Sequence, residues 1–227
     1  MPVDGYGAFG KIPAVGDFFR VNAPPGFVEP WDAWLQRCLL AGSEAHGPGW
    51  DALYMSVPIW RFCLSAGLAG AQPVIGVLMP SVDRVGRRFP LTLMTPIGDG
   101  ASVVREHLVQ GDAFQSMEDI ALSVLDDDVS KDALAAQLAA LALPIPAAPD
   151  LCHVNGRAVV LRQTAGPEAL APILASELLA PAFQRPSVWS AVMDGDTRLM
   201  VCDGLPDGPD MQGLFDLDAD VWKEGCV

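Results

Sequence analysis

Three short apolar runs, Leu53 to Ser65, Val74 to Met79 and Phe89 to Ile97, set the narrowest bound on how this chain folds. They are separated by about ten residues each, rich in Gly and Pro and without helical periodicity. Parallel neighbours need a crossover of a dozen residues or more, usually a helix, so the spacing predicts antiparallel strands. The third run alternates poorly, as expected for a strand covered on both faces.

Helical patterns flank this β-rich block. The spacing predicts a helix over Glu29 to Ala41, with Phe27, Trp31, Trp34, Leu35, Cys38 and Leu39 on one face. Pro30 is tolerated in a first turn, and Gly42 and Gly47-Pro48 are read as its end. Its two tryptophans read as core anchors. The first ~25 residues, rich in Gly and Pro, read as a looped entry. From Ser102 to Leu143 the pattern is helical. Phe114, Met117, Ala121, Val124 and Leu125 share a face behind Asp112 as N-cap. Ser130 caps a second segment carrying Leu134, Leu138 and Leu141, stopped by Pro144. A stiff Pro144–Pro149 connection follows. Asn155-Gly156 then predicts a hairpin, Pro172 to Ala180 a short helix, and Asp194-Gly195-Asp196 a second hairpin between Ser187–Met193 and Arg198–Cys202. One mixed sheet with helices on its faces is the economical architecture.

The net charge of −14 argues against nucleic-acid or anionic-membrane binding, because a polyanion is repelled at long range. The charge is lopsided: net −1 over residues 1–100 and −13 over 101–227. Nine acids crowd residues 194–224 against Arg198 and Lys223, a solvated face or a docking surface for a basic partner. The first ten residues lack the basic and apolar regions of a signal peptide. The longest apolar stretch, Ala133 to Ala148, holds Gln137, Pro144 and Pro146 and does not span a bilayer. Five widely spaced cysteines without a C-x-x-C suit a reduced, cytoplasmic setting.

Familiar chemical motifs fail on inspection. Gly5-x-Gly7-x-x-Gly10 and Gly5-(x4)-Gly10-Lys11 imitate nucleotide-binding loops, but Pro13 blocks the helix that must follow and Ile12 replaces the Mg²⁺-binding hydroxyl. Loops starting at Asp194 or Asp216 lack the glycine and glutamate of an EF-hand. Asp126-Asp127-Asp128 is unfavourable at the negative end of a helix, so the helix before it should stop first. His46, His107 and His153 are far apart and fit no hydrolase or metal signature, so the expectation is no catalytic, cofactor or metal site.

Two segments stand out: Gly10-Lys11-Ile-Pro13-Ala-Val-Gly16-Asp17-Phe18-Phe19, and Pro80-Ser81-Val-Asp83-Arg84-Val-Gly86-Arg87-Arg88-Phe89-Pro90-Leu91. In the second, three arginines lie within five residues of an otherwise acidic chain. Either Asp83 and the arginines lock a loop by fork-like hydrogen bonds, or they present an anion- or partner-binding loop.

Together with Pro30-Trp31-Asp32-x-Trp34-Leu35, Pro58-x-Trp60-Arg61-Phe62 and the late Gly204-Leu205-Pro206, these blocks resemble the TagF (ImpM) family of type VI secretion-associated proteins. The resemblance runs over nearly the whole chain and is least distinctive near 100–150. It implies an α/β three-layer sandwich, a mixed and largely antiparallel sheet with helices on both faces, as a single domain over 1–227, with a C-terminal sub-lobe from about 150 left open. It also implies a cytoplasmic, non-enzymatic regulator that represses type VI secretion after translation. The implied partner is the forkhead-associated-domain scaffold of the apparatus, with no cofactor, nucleic acid or membrane insertion. A hydrolase acting on a phosphorylated component through Asp17 or Asp83, and a structural subunit of the machine, are the alternatives. The candidate partner-binding or motif residues are Lys11, Asp17, Trp31, Asp32, Ser81, Asp83, Arg84, Arg87 and Arg88.

Overall fold

The computed structural model describes residues 5–125, 129–145, 151–155, 158–162, 166–193 and 195–223. Its frame is a seven-stranded sheet: β1 (Gly7–Gly10), β2 (Phe19–Val21), β3 (Trp60–Leu64), β4 (Val74–Met79), β5 (Leu91–Pro96), β8 (Pro186–Met193) and β9 (Asp196–Asp203). The spatial order is β2-β1-β5-β4-β3-β8-β9, and every pairing is antiparallel. The central strands β4 and β5 are buried almost throughout, as the poor alternation of the Phe89–Ile97 run predicts. A separate two-stranded hairpin, β6 (Leu151–Asn155) with β7 (Ala158–Arg162), stands outside the main sheet. The turn expected at Asn155-Gly156 reaches beyond the described residues, and so does the Asp126-Asp127-Asp128 run.

Helices cover both faces. On one lie α1 (Val28–His46), α2 (Trp50–Ser56) and α7 (Gly208–Phe215). Trp31, Trp34, Tyr54 and Leu214 there pack against Phe62, Leu78, Met94 and Trp189 of the sheet. On the other lie α3 (Val103–Val109), α4 (Gly111–Ser123) and α5 (Lys131–Ala139), whose Val104, Phe114, Met117 and Leu134 pack on Cys63, Ile75, Val77 and Leu93. α6 (Leu170–Leu179) packs on α3 and the hairpin. This is the expected three-layer α/β sandwich.

Several boundaries differ from the sequence reading. The looped entry contains β1 and β2, because glycine makes room for close strand approach. A Cβ on Gly7 would overlap the Asn22 carbonyl, and one on Gly10 the Pro90 carbonyl. The first half of the Leu53–Ser65 run is helix α2: Trp50 and Tyr54, one turn apart, are both buried, and the chain turns extended only at Val57, before Pro58. Gly42 does not end α1. It lies inside the helix because the Trp50 ring fills the space of its missing Cβ, and Gly47, at φ 50°, ends the helix instead. Asp112 sits in the first turn of α4 rather than capping it, and Leu125 is exposed. Ser130 does cap α5, accepting from the Ala133 amide at 3.2 Å, but the helix ends at Ala139, before Pro144.

Gly10→Ala should be costly. Gly10 has φ 136°, and a methyl there meets backbone rather than a side chain that can move. Chemical denaturation should show a loss of at least about 1–3 kcal/mol from the dihedral alone. An unchanged midpoint would contradict the close approach of β1 to the strand after Pro90.

Candidate functional site

The two unusual segments, more than sixty residues apart in sequence, meet at the end of the sheet where β1 and β5 pair. Asp83 is the point where they join. One of its oxygens accepts from the Arg87 and Val85 amides, at 2.9 and 3.0 Å. The other accepts from Arg87 Nε at 2.6 Å and lies 3.1 Å from Lys11 Nζ. Arg87 Nη2 also donates to the Gly16 carbonyl at 2.6 Å, and the Arg84 amide donates to the Val15 carbonyl at 3.1 Å. Gly86, at φ 81°, supplies the left-handed residue that the tight turn needs.

Lys11 and Asp83 are both buried. Burial alone would raise the Asp83 carboxyl, but its four donors outweigh that and hold it well below the usual carboxylate range. A buried cation and a buried carboxylate satisfied in this way form a lock rather than a reactive pair. Asp83, Lys11 and Arg87 form the lock of the first reading, while Arg84 of the same loop stays exposed.

The remaining candidates divide between core and surface. Trp31 is fully buried and donates from Nε1 to Thr92 Oγ1 at 2.9 Å. Ser81 is buried; its amide donates to the Tyr54 hydroxyl, which donates back to the Ser81 carbonyl, both at 3.0 Å. Arg88 pairs with Asp51 of α2. Asp17 is exposed and accepts from the Phe18 amide at 2.8 Å. Asp32, on the outer face of α1, accepts from Gln36 at 2.7 Å. Arg84 is exposed and lies over Gly16. The structure thus joins Lys11, Asp83 and Arg87 directly, places Arg84 and Asp17 beside them, and leaves Trp31 and Asp32 on α1.

Sequence reasoning missed two polar sites. Arg61 of β3 makes a two-pronged bond to Glu118 of α4, with both contacts at 2.7 Å, and the carboxylate holds the guanidinium above its ordinary value. The pair borders an open cleft of about 550 Å³ with Ile59, Leu122 and Val192. The second site is His107 of α3, buried with Nε2 2.8 Å from Ser190 Oγ and no partner on Nδ1 among the described residues. Burial, aided by the charge of Arg61, brings its pKa down to about 3. An imidazole whose proton affinity is lowered this far is a weak base toward Ser190. No grouping of His, Cys, Asp and Glu among the described residues could hold a metal ion. No helix among them is long and apolar enough to cross a membrane.

The chain is thus an antiparallel α/β/α sandwich whose two unusual segments are joined by buried Lys11 and Asp83 together with the exposed Arg87. The model of the TagF N-terminal domain, described as type VI secretion system-associated, matches residues 7–141, and the chain belongs to that family. The crystal structure of PA0076 from Pseudomonas aeruginosa PAO1, at 2.05 Å resolution, is similar over 98% of this chain and 96% of that one. The identity is 31% and the TM-score 0.76. No curated protein matches the chain.

Proposed function

We propose that this protein is a cytoplasmic, non-enzymatic regulator that represses type VI secretion after translation by binding the forkhead-associated-domain scaffold of the apparatus. The observation that carries this reading is the fate of the two signature segments. Lys11, Asp83 and Arg87 hold a loop in place, Arg84 stays exposed on it, and what reaches the surface is an ordered, presented loop. Asp83 has both oxygens occupied by donors, and Asp17 stands exposed on the chain's own amide. Both fit a binding role better than hydrolysis of a phosphorylated component.

A repressor of this kind shifts a population, so it must hold the scaffold better outside the assembled apparatus than within it. Raising the protein's level in cells with an active apparatus should lower secretion of the apparatus's own components while their cellular amounts stay constant. Unchanged secretion at a several-fold excess would refute repression. Stoichiometric recovery with the assembled machine would favour a structural subunit instead.

A further inference from the structure

Two strands bound the main sheet: β2, three residues long, and β9, eight residues long. The Gly204 amide donates to the Arg185 carbonyl at 2.9 Å, which sets the phase of the antiparallel ladder between β8 and β9. The even-numbered residues of β9 turn their amides and carbonyls to β8, and Thr197, Leu199 and Val201 turn theirs outward. None of these outward groups has a hydrogen-bond partner among the described residues. A row of open donors and acceptors is a template for a further strand, and natural edges are commonly blunted by a bulge or a proline. β9 has neither, and its eight pairs with β8 run in unbroken register.

Side chains alternate along a strand, and the two sides of this edge differ. On the side of α3 and α4 stand Thr197, Leu199 and Val201. Leu199 is 53% exposed, and Val192, which faces Thr197 across the ladder, is 65% exposed. On the side of α7 stand Asp196, Arg198, Met200 and Cys202. Arg198 is engaged there: it donates to Asp196 at 3.2 Å and to the Leu217 carbonyl at 2.5 Å, and lies over the Trp222 ring. The Leu217 contact brings exposed Asp218 beside the strand, and Cys202 Sγ lies 3.9 Å from an Asp210 oxygen. Arg185, at the far end, extends to Gly67 beyond β3, away from β9. Over residues 194–224 nine acids face only Arg198 and Lys223. The edge is therefore apolar on one side and acidic on the other.

We infer that β9 accepts an extended segment of a partner protein as a further strand, and that this segment alternates apolar residues with lysine or arginine. The inference goes beyond the regulator reading and stands independently of it. Main-chain hydrogen bonds to Thr197, Leu199 and Val201 supply the attachment, and the alternating side chains supply the selection. The apolar ones cover Leu199, Val201 and Val192. The basic ones lie over Asp196, Asp210 and Asp218, so affinity depends on salt. A second copy of the chain fits this edge less well, because pairing β9 with itself brings two acidic faces together.

The probe is a synthetic Lys-Val-Lys-Val-Lys-Val peptide, with Glu-Val-Glu-Val-Glu-Val as its control, added to the full chain. Amide hydrogen exchange is read residue by residue. With the lysine peptide at saturation, the Thr197, Leu199 and Val201 amides should exchange about tenfold more slowly or better, because they gain hydrogen bonds. The Arg198, Met200 and Cys202 amides, already bonded to β8, should change little. The protection should fade as salt rises, and the glutamate peptide should give none. Leu199→Pro removes one outward donor without touching the ladder to β8 and should abolish the protection. Leu199→Lys keeps every backbone group, repels the probe and should weaken its binding several-fold. It carries the test if the proline variant does not fold. Unchanged exchange at the three outward amides in the parent overturns the proposal. Equal protection by both peptides overturns the basic occupant. Protection without peptide that grows with protein concentration shows a second copy on the edge and overturns it too.

Discussion

Replacing Trp31 with alanine should remove at least about 4 kcal/mol of stability, a large part of what a domain of this size has in total. Its indole is fully buried at the junction of α1 and the sheet. Ring centroids of Trp34, Phe62 and Phe27 lie 4.8, 4.9 and 5.4 Å away, with Trp189 stacked at 6.1 Å. Truncation leaves a cavity among aromatic rings that are themselves anchored. Trp34 donates to the Pro206 carbonyl and Trp189 to Ser187, both at 2.9 Å, so neither can move in to fill the gap. It also strands the Thr92 hydroxyl, which is fully buried, and an orphaned buried polar group adds about 1–3 kcal/mol. Trp31→Phe should lose much less cavity volume but the same hydrogen bond. Equilibrium urea unfolding separates the two. A loss below about 1 kcal/mol for the alanine variant would contradict this packing.

Lowering the pH should destabilise the protein well before its carboxylates protonate, and His107 is the reason. An unfolded histidine titrates near 6.5, whereas His107 in the fold is held down to about 3 by burial and by Arg61. Between these values the unfolded chain binds a proton that the native state refuses. Stability should therefore fall as pH drops, by up to about 1.4 kcal/mol per pH unit and about 4 kcal/mol across the window. Asp83 works in a lower range. Its folded pKa is depressed, so its contribution is complete above the ordinary carboxylate value near 4 and is lost only as pH falls below it. His107→Gln keeps a group able to bond Ser190 but does not titrate, and should flatten the curve between pH 6.5 and 4. A slope in that variant equal to the parent's would assign the acid sensitivity to other groups.

The frame of the fold was legible because strands and helices of ordinary length left ordinary periodicities. The Val74–Met79 run is β4 residue for residue, and the connection lengths correctly implied antiparallel pairing. What escaped sequence reasoning depended on distant parts of the chain. Gly7 and Gly10 looked like loop residues, yet their role is to admit the backbone at Asn22 and Pro90. Gly42 looked like a helix end, yet it seats the Trp50 ring. Among the candidate residues, the rarity of three arginines in an acidic chain drew attention to the loop that Asp83 locks. Nothing local could say that Lys11 would pair with Asp83. The Arg61–Glu118 pair and the buried His107 gave no sequence signal, because their partners come from other elements. The blocks that carry the family resemblance prove to be largely packing devices: Trp34 binds the Pro206 carbonyl of the late Gly204-Leu205-Pro206, and Trp60 binds the Leu214 carbonyl. In this chain those residues hold the scaffold together.

The measurement that bears most directly on the account is calorimetry of the full chain against the forkhead-associated scaffold of the same genome, at two salt concentrations. The account predicts saturable binding that weakens as salt rises, because charged surfaces meet. Absence of binding at both concentrations, by protein shown to be folded, would contradict it.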